Sequence, residues 1–255
     1  MIFDTHAHYD DEQFDMDRDA LLSGIRDHNV GTIVNVGASP AGCRASVELA
    51  GQYDFVYAAV GLHPDEVGAL DEGFLNWMRQ TAETNPKVVA IGEIGLDYHW
   101  DVEPREVQQD CFVRQMELAR AVGLPILVHS REAAQDTFDL IAAHGHGLDG
   151  IIHCYAYSPE MAMEYVKLGY HIGLGGVVTF KNARKAKETA AAVPLEHIVL
   201  ETDCPYMAPT PFRGKRNSSD LIIYVAEEIA RLKGISPEEV IATTEANAKR
   251  IFHLS

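Results

Sequence analysis

Six side chains of the kinds that bind metal ions recur at the ends of apolar, β-branched runs: His6, His8, Glu93, His129, His153 and Asp203. His6 and His8 follow Ile2 and Phe3 and are one residue apart, so alternation along a strand turns both imidazoles to one face. Alone, such a pair is half a metal site or two ordinary polar residues at a strand end, since neutral imidazole is a common ligand for Zn and similar ions. Glu93 ends Lys87–Glu93, His129 ends Pro125–His129, His153 ends Gly150–His153, and Asp203 follows His197–Thr202. Four imidazoles and two carboxylates suit two divalent ions with one carboxylate shared, an arrangement that activates water for hydrolysis.

The positions of these residues depend on the strands that carry them. Besides those named, apolar runs cover Gly31–Val36, Phe55–Leu62 and Tyr170–Leu174, which with the N-terminal run makes eight. Stretches with helical spacing lie between them, including Arg18–His28, Glu106–Val122 and Arg131–His144. Near-continuous apolar strands are buried on both faces, as a parallel sheet requires. Eight β–α units in 255 residues predict an α/β protein, a single (β/α)8 TIM barrel over residues 1–255. A doubly wound open sheet is the alternative, but no Gly-x-Gly-x-x-Gly follows an early strand. Barrel active sites lie at the C-terminal ends of the strands, so all six ligand-type residues are expected at one mouth. Pro205–Pro211 reads as an active-site loop after the last strand. Two closing helices follow Asp220, and Ser236-Pro237 has the form of an N-cap with proline in the first turn.

Composition narrows the function classes. The chain has 21 Lys and Arg against 38 Asp and Glu, a formal charge of −17. That balance argues against a broad cationic groove for duplex nucleic acid, though not against a local basic site. No apolar run reaches the roughly 18 residues of a membrane span, so no membrane association is expected. The N-terminus shows no signal-peptide pattern, and Cys43, Cys111, Cys154 and Cys204 form no Cys-x-x-Cys pair. A cytoplasmic location with reduced thiols is expected, and no obligate protein partner is inferred.

Several blocks are shared with a known family: Asp4-Thr-His-Ala-His8, Gly61-Leu-His-Pro64, Gly92-Glu-Ile-Gly-Leu-Asp97, Pro125-Ile-Leu-Val-His-Ser-Arg131, His153-Cys-Tyr155, Glu201-Thr-Asp-Cys-Pro-Tyr206 and Arg213-Gly-Lys-Arg-Asn217. In this order, from end to end, they resemble the TatD family of metal-dependent deoxyribonucleases, within the amidohydrolase-like barrels. The resemblance implies that His6, His8, Glu93 and Asp203 hold one ion, and Glu93, His129 and His153 the second, with Glu93 bridging. It implies two divalent ions (Mg, Mn or Zn) and cleavage of phosphodiesters from the end of single-stranded DNA, in the manner of a 3′–5′ exonuclease. Where the family commonly continues Glu-Pro after the Arg213 loop, this chain has Ser218-Ser219, which bears on substrate fit there.

Roles follow from chemistry. Asp203, with Glu93 the expected catalytic pair, can bind metal and take the proton of a metal-activated hydroxide's parent water. His63, at the end of the third strand, is expected to contact substrate or to support a ligand. Arg213, Lys215 and Arg216 can hold a substrate phosphate or form a solvated surface loop. The rival enzymatic reading is hydrolysis of an ester, amide or lactone, including an aminoacyl ester of RNA, because the same nucleophile attacks carbonyl carbon. The non-enzymatic reading is a metal-binding barrel without turnover. Tyr98, His99 and Trp100 can stack on a base or simply pack a βα loop. His144 and His146 read as a helix C-terminus, and Gly173, Gly175 and Gly176 as a close approach of backbone.

Overall fold

The computed structural model describes residues 1–100 and 102–254. Among them eight strands, β1 Ile2–Ala7, β2 Val30–Val36, β3 Val56–Val60, β4 Val88–Asp97, β5 Ile126–Arg131, β6 Gly150–Ile152, β7 His171–Leu174 and β8 Ile198–Leu200, lie in one sheet in sequence order. Helices alternate with most of them: α1 Arg18–Gly24, α2 Pro40–Gln52, α3 Glu72–Thr84, α4 Arg105–Val122, α5 Ala134–His144, α6 Pro159–Lys167, α7 Arg184–Ala192, α8 Ile222–Lys233 and α9 Pro237–Ile251. The predicted (β/α)8 barrel is the fold.

The chain forms two compact units, Met1–Asn35 with His153 onward, and Val36–Ile152. In the first, β1 pairs in parallel with β2, β7 with β8, and β1 meets β8 through a parallel bridge between Ala7 and Cys204. Thr5 Oγ1 donates to Leu200 O at 3.0 Å, and the Asp203 N–H donates to His6 O at 2.9 Å. Phe252, just after α9, stacks on Phe3 of β1 at 5.6 Å between centroids. Asn247 on α9 donates to Leu195 O and Ile198 O, which anchors the start of β8. All six β1 residues are buried, so the strand must be apolar or, at Asp4, Thr5 and His6, internally paired.

In the second unit β3, β4, β5 and β6 pair in parallel, around a core that includes Ile91, Phe112 and Met78. Here the sequence reading of β4 needs correction. The strand runs past Glu93 to Asp97, and all ten residues are buried. Gly95 makes this possible: at φ +143° it lies so close to β5 that a Cβ would sit 2.0 Å from His129 O. Strand β5 likewise continues beyond His129 to Arg131, so α5 begins at Ala134 rather than Arg131. The first helix is α-helical only to Gly24. It tightens to a 3₁₀ turn over Ile25–His28 and ends at left-handed Asn29. The expected Ser236 cap is present, its Oγ accepting from Glu239 N at 3.1 Å.

Candidate metal centre

The first unit carries one group of ligand-type side chains. Asp4, His6 and His8 have the same parity along and just past β1, and the group is completed by Asp203 after β8. His6 Nε2 and His8 Nε2 are 3.1 Å apart, and Asp203 Oδ1 lies 3.4 Å from His8 Nε2 and 4.0 Å from His6 Nε2. Ligands bound at about 2.1 Å in a tetrahedron stand about 3.4 Å from one another, so this donor set fits a small divalent ion. Asp203 is presented by a left-handed backbone, φ 57°, a conformation costly for a non-glycine residue and fixed here by its N–H bond to His6 O. Burial pushes its carboxyl upward, but the hydrogen bond from His8 and the charges of His153 and His6 outweigh that and hold its pKa low.

Beneath the imidazoles, buried Asp4 fixes the seam between β1 and β8. Its oxygens accept from Thr202 N at 3.0 Å, Thr202 Oγ1 and Ser219 Oγ at 2.6 Å each, and His6 N at 3.3 Å. Burial raises this acid to about 6 despite the four donors. Ser219 N also donates to the Tyr9 hydroxyl at 2.9 Å, so the Ser218-Ser219 departure from the family pattern is built into the support of Asp4. His153 stacks on His6, 3.9 Å between centroids and 11° between planes. Beside it, Glu201 accepts the Cys154 N–H through Oε1, while buried Oε2 lies over Gly173, where a Cβ would be 2.3 Å away. Burial, above all, raises Glu201 to about 8.

The second group, His63 just past β3, Asp97 on β4 and His129 on β5, lies in the other unit, with Glu93 of β4 beside His129. His129 Nδ1 is 2.9 Å from Glu93 Oε1, and its Nε2 is 3.1 Å from Asp97 Oδ2. His63 stands edge-on to His129 at 4.4 Å, with Nε2 4.0 Å from Glu93 Oε1. Its Nδ1 accepts from Asp65 N at 3.2 Å, which leaves Nε2 directed at Glu93. Burial opposes charge on His129, but the flanking carboxylates win and raise it to about 9, while Asp97, also opposed by burial, falls to about 2. A ligating histidine commonly turns one nitrogen to the metal and donates the other N–H to a carboxylate, a place Asp97 fits at Nε2 while Nδ1 and Glu93 face a common point.

Of the basic loop, Arg213 and Lys215 are exposed, Arg213 lying 4.6 Å over the Phe180 ring. Arg216 is instead committed to Asp17, with Nη1–Oδ1 and Nη2–Oδ2 at 2.8 and 2.6 Å, and donates to Gln13 O at 2.6 Å. Its expected role as a phosphate contact competes with that bidentate pair. Sequence reasoning did not single out Asp97 or Glu201. Asp97 carried a signal, an even spacing from Glu93 along one strand that keeps its carboxylate on the face of a named ligand, whereas Glu201 and Asp203 both lie past the end of β8, where alternation gives none.

Histidines and carboxylates grouped near the C-terminal ends of parallel barrel strands are the equipment of a metal-dependent hydrolase. Residues 3–253 match the family described as TatD related DNase. The metal-dependent hydrolase YabD of Bacillus subtilis (strain 168) is 42% identical over 256 residues, covering 100% of each chain. YcfH of Escherichia coli (strain K12), also named a metal-dependent hydrolase, is 34% identical across 99% of this chain and 96% of its own. The crystal structure of YjjV, a TatD homologue from Escherichia coli K12, superposes with a TM-score of 0.93 at 31% identity, covering 100% of this chain and 98% of that one. The chain belongs to the TatD-related family, and it is a metal-dependent hydrolase. Among the described residues no helix is long and apolar enough to cross a membrane.

Proposed function

We propose that the enzyme hydrolyses phosphodiester bonds at the end of single-stranded DNA, with one divalent ion held by His6, His8 and Asp203 and another by the group containing His129 and Glu93. The observation that carries this reading is Asp203. It stands within 4.0 Å of two imidazole nitrogens, where one carboxylate can serve both as ligand and as proton acceptor. A bound divalent ion supplies a water of lowered pKa and positive charge beside the scissile group. Asp203 would take a proton from the attacking water as the water's oxygen bonds to phosphorus. The P–O ester bond breaks, and the same carboxyl returns the proton to the leaving oxygen. His6 and His8 are held by β1, and His129 by Asp97, so these ligands need little reorganisation. Exposed Arg213 and Lys215 supply charge for a neighbouring phosphate.

The test is metal-dependent release of mononucleotides from labelled single strands after chelation and re-addition of Mg, Mn or Zn. Fast release from single strands, slower release from blunt duplex and little cutting of closed circles are expected; rapid cutting of circles rules out the terminus requirement. The pairing of Arg216 with Asp17 is the observation that favours the second reading, a smaller ester or amide substrate, since it leaves fewer cations for a polyanion. Rapid hydrolysis of a neutral ester, with none of DNA, would select it.

A further inference from the structure

The loop after β4 separates three aromatic rings by what each touches. Tyr98 is 9% exposed and donates to Asp136 Oδ2 at 2.8 Å, so it packs the loop. His99 Nδ1 pairs with Glu132 Oε1 at 2.7 Å. Trp100 stands edge-on to the His99 ring, 4.7 Å between centroids, and yet the residue is 61% exposed. Leaving so large an apolar ring in water forgoes burial worth about 2 kcal/mol or more, and tryptophan beside arginine is the pair of residue types enriched where binding energy concentrates.

The loop that carries the ring is pinned. Asp97 Oδ1 accepts from His99 N at 2.8 Å and from Trp100 N at 3.4 Å, while Oδ2 of the same carboxylate faces His129. The Arg131 guanidinium lies 5.4 Å from the indole centroid, within cation–π range. Arg131 is two residues beyond His129 on β5, so strand alternation directs both to the same side. One carboxylate therefore fixes both a ligand-type histidine and the backbone of an exposed indole, whose ring rests beside a cation.

We propose that Trp100, backed by Arg131, is a stacking platform for an unpaired nucleobase of the DNA strand being processed. This choice of ligand rests on the nuclease reading above. A base offers a flat π-face of matching size, and the neighbouring guanidinium adds attraction for both the base and its phosphate. A base inside a duplex has both faces covered, so the platform selects single-stranded or frayed ends.

Three measurements test this. In the first, kcat/KM is compared for a single strand with an ordinary terminal tract and for one with an abasic terminal tract. The wild type should prefer the base-bearing end, and Trp100→Ala should reduce that preference about tenfold, the scale of one lost base–aromatic stack. Trp100→Phe should restore most of it. A preference that is absent in the wild type or unchanged in Trp100→Ala overturns the platform while leaving the nuclease reading in place. The second uses metal-stripped Trp77→Phe protein, in which Trp100 is the remaining one of two tryptophans. Its fluorescence should be quenched on titration with a short single-stranded oligonucleotide, and no quenching overturns the proposal. Quenching without hydrolysis in any metal would keep the platform and remove the nuclease reading. The third is sedimentation: if Trp100→Ala changes the oligomeric state and leaves the base preference intact, the ring belongs to contact with a second copy and the proposal fails.

Discussion

Asp97 Oδ2 faces His129 Nε2 at 3.1 Å, on the side of the ring opposite Glu93. That contact fixes the plane of the imidazole and its proton, and with them the direction in which the other nitrogen is presented. Replacing Asp97 with alanine should weaken metal binding by about 10- to 100-fold, the usual effect of removing a carboxylate behind a histidine ligand, with Asp97→Asn in between. Calorimetric metal titration measures it, and an unchanged affinity would reduce Asp97 to a loop-holding residue.

Asp203→Asn should abolish turnover while the His129 group still binds metal. The amide keeps the size of the side chain but cannot carry a proton at neutral pH. Turnover numbers and metal content of the same preparation decide it, and wild-type rates at saturating metal would remove Asp203 from proton transfer.

Glu201 should behave as a neutral, buried acceptor. Burial raises it to about 8, so near pH 7 its carboxyl is largely protonated and a Gln side chain imitates it. Glu201→Gln is expected to be close to wild type in urea unfolding. Glu201→Ala should cost about 1–3 kcal/mol by leaving the Cys154 N–H without its acceptor. Equal stabilities for the two variants would show that the hydrogen bond contributes nothing.

Away from the ligand groups, His171 at the start of β7 should make stability fall in mild acid. Its ring is buried 5.3 Å from that of His197, with Arg250 Nη2 3.2 Å from Nε2, and burial, then His197 and Arg250, depress it from 6.5 to about 4. A histidine with a depressed folded pKa contributes fully above its unfolded value, and that contribution is lost as pH falls from 6.5 toward 4. The loss can approach about 3 kcal/mol at roughly 1.4 kcal/mol per pKa unit. Unfolding free energies at pH 7 and pH 4 should therefore differ more in the wild type than in His171→Gln, and parallel profiles would exclude the ring as the cause.

Much of this arrangement was legible in the sequence because strands and ligands leave short-range marks. Apolar runs placed all eight strands, and parity placed His6 with His8. What was not legible lies where a long-range contact decides the local outcome. Nothing near Glu93 in sequence indicates that Gly95 will let β4 pass against His129 O and run on to Asp97. The engagement of Arg216 is of the same kind, since Asp17 lies 199 residues away. Ser219 is a third case: nothing near it in sequence indicates that its hydroxyl and N–H serve Asp4 and Tyr9.

The seam between β1 and β8 also has a temporal meaning. During synthesis His63, Glu93, Asp97 and His129 have all been made by residue 129, and all four lie within Val36–Ile152. His6 and His8 are made first but acquire Asp203 last, when β8 closes on β1 through contacts such as Thr5 to Leu200, 195 residues apart. A chain released before that point would carry an unsupported histidine pair and no carboxylate to join it, so water activation at Asp203 is reserved for chains translated through the final strand.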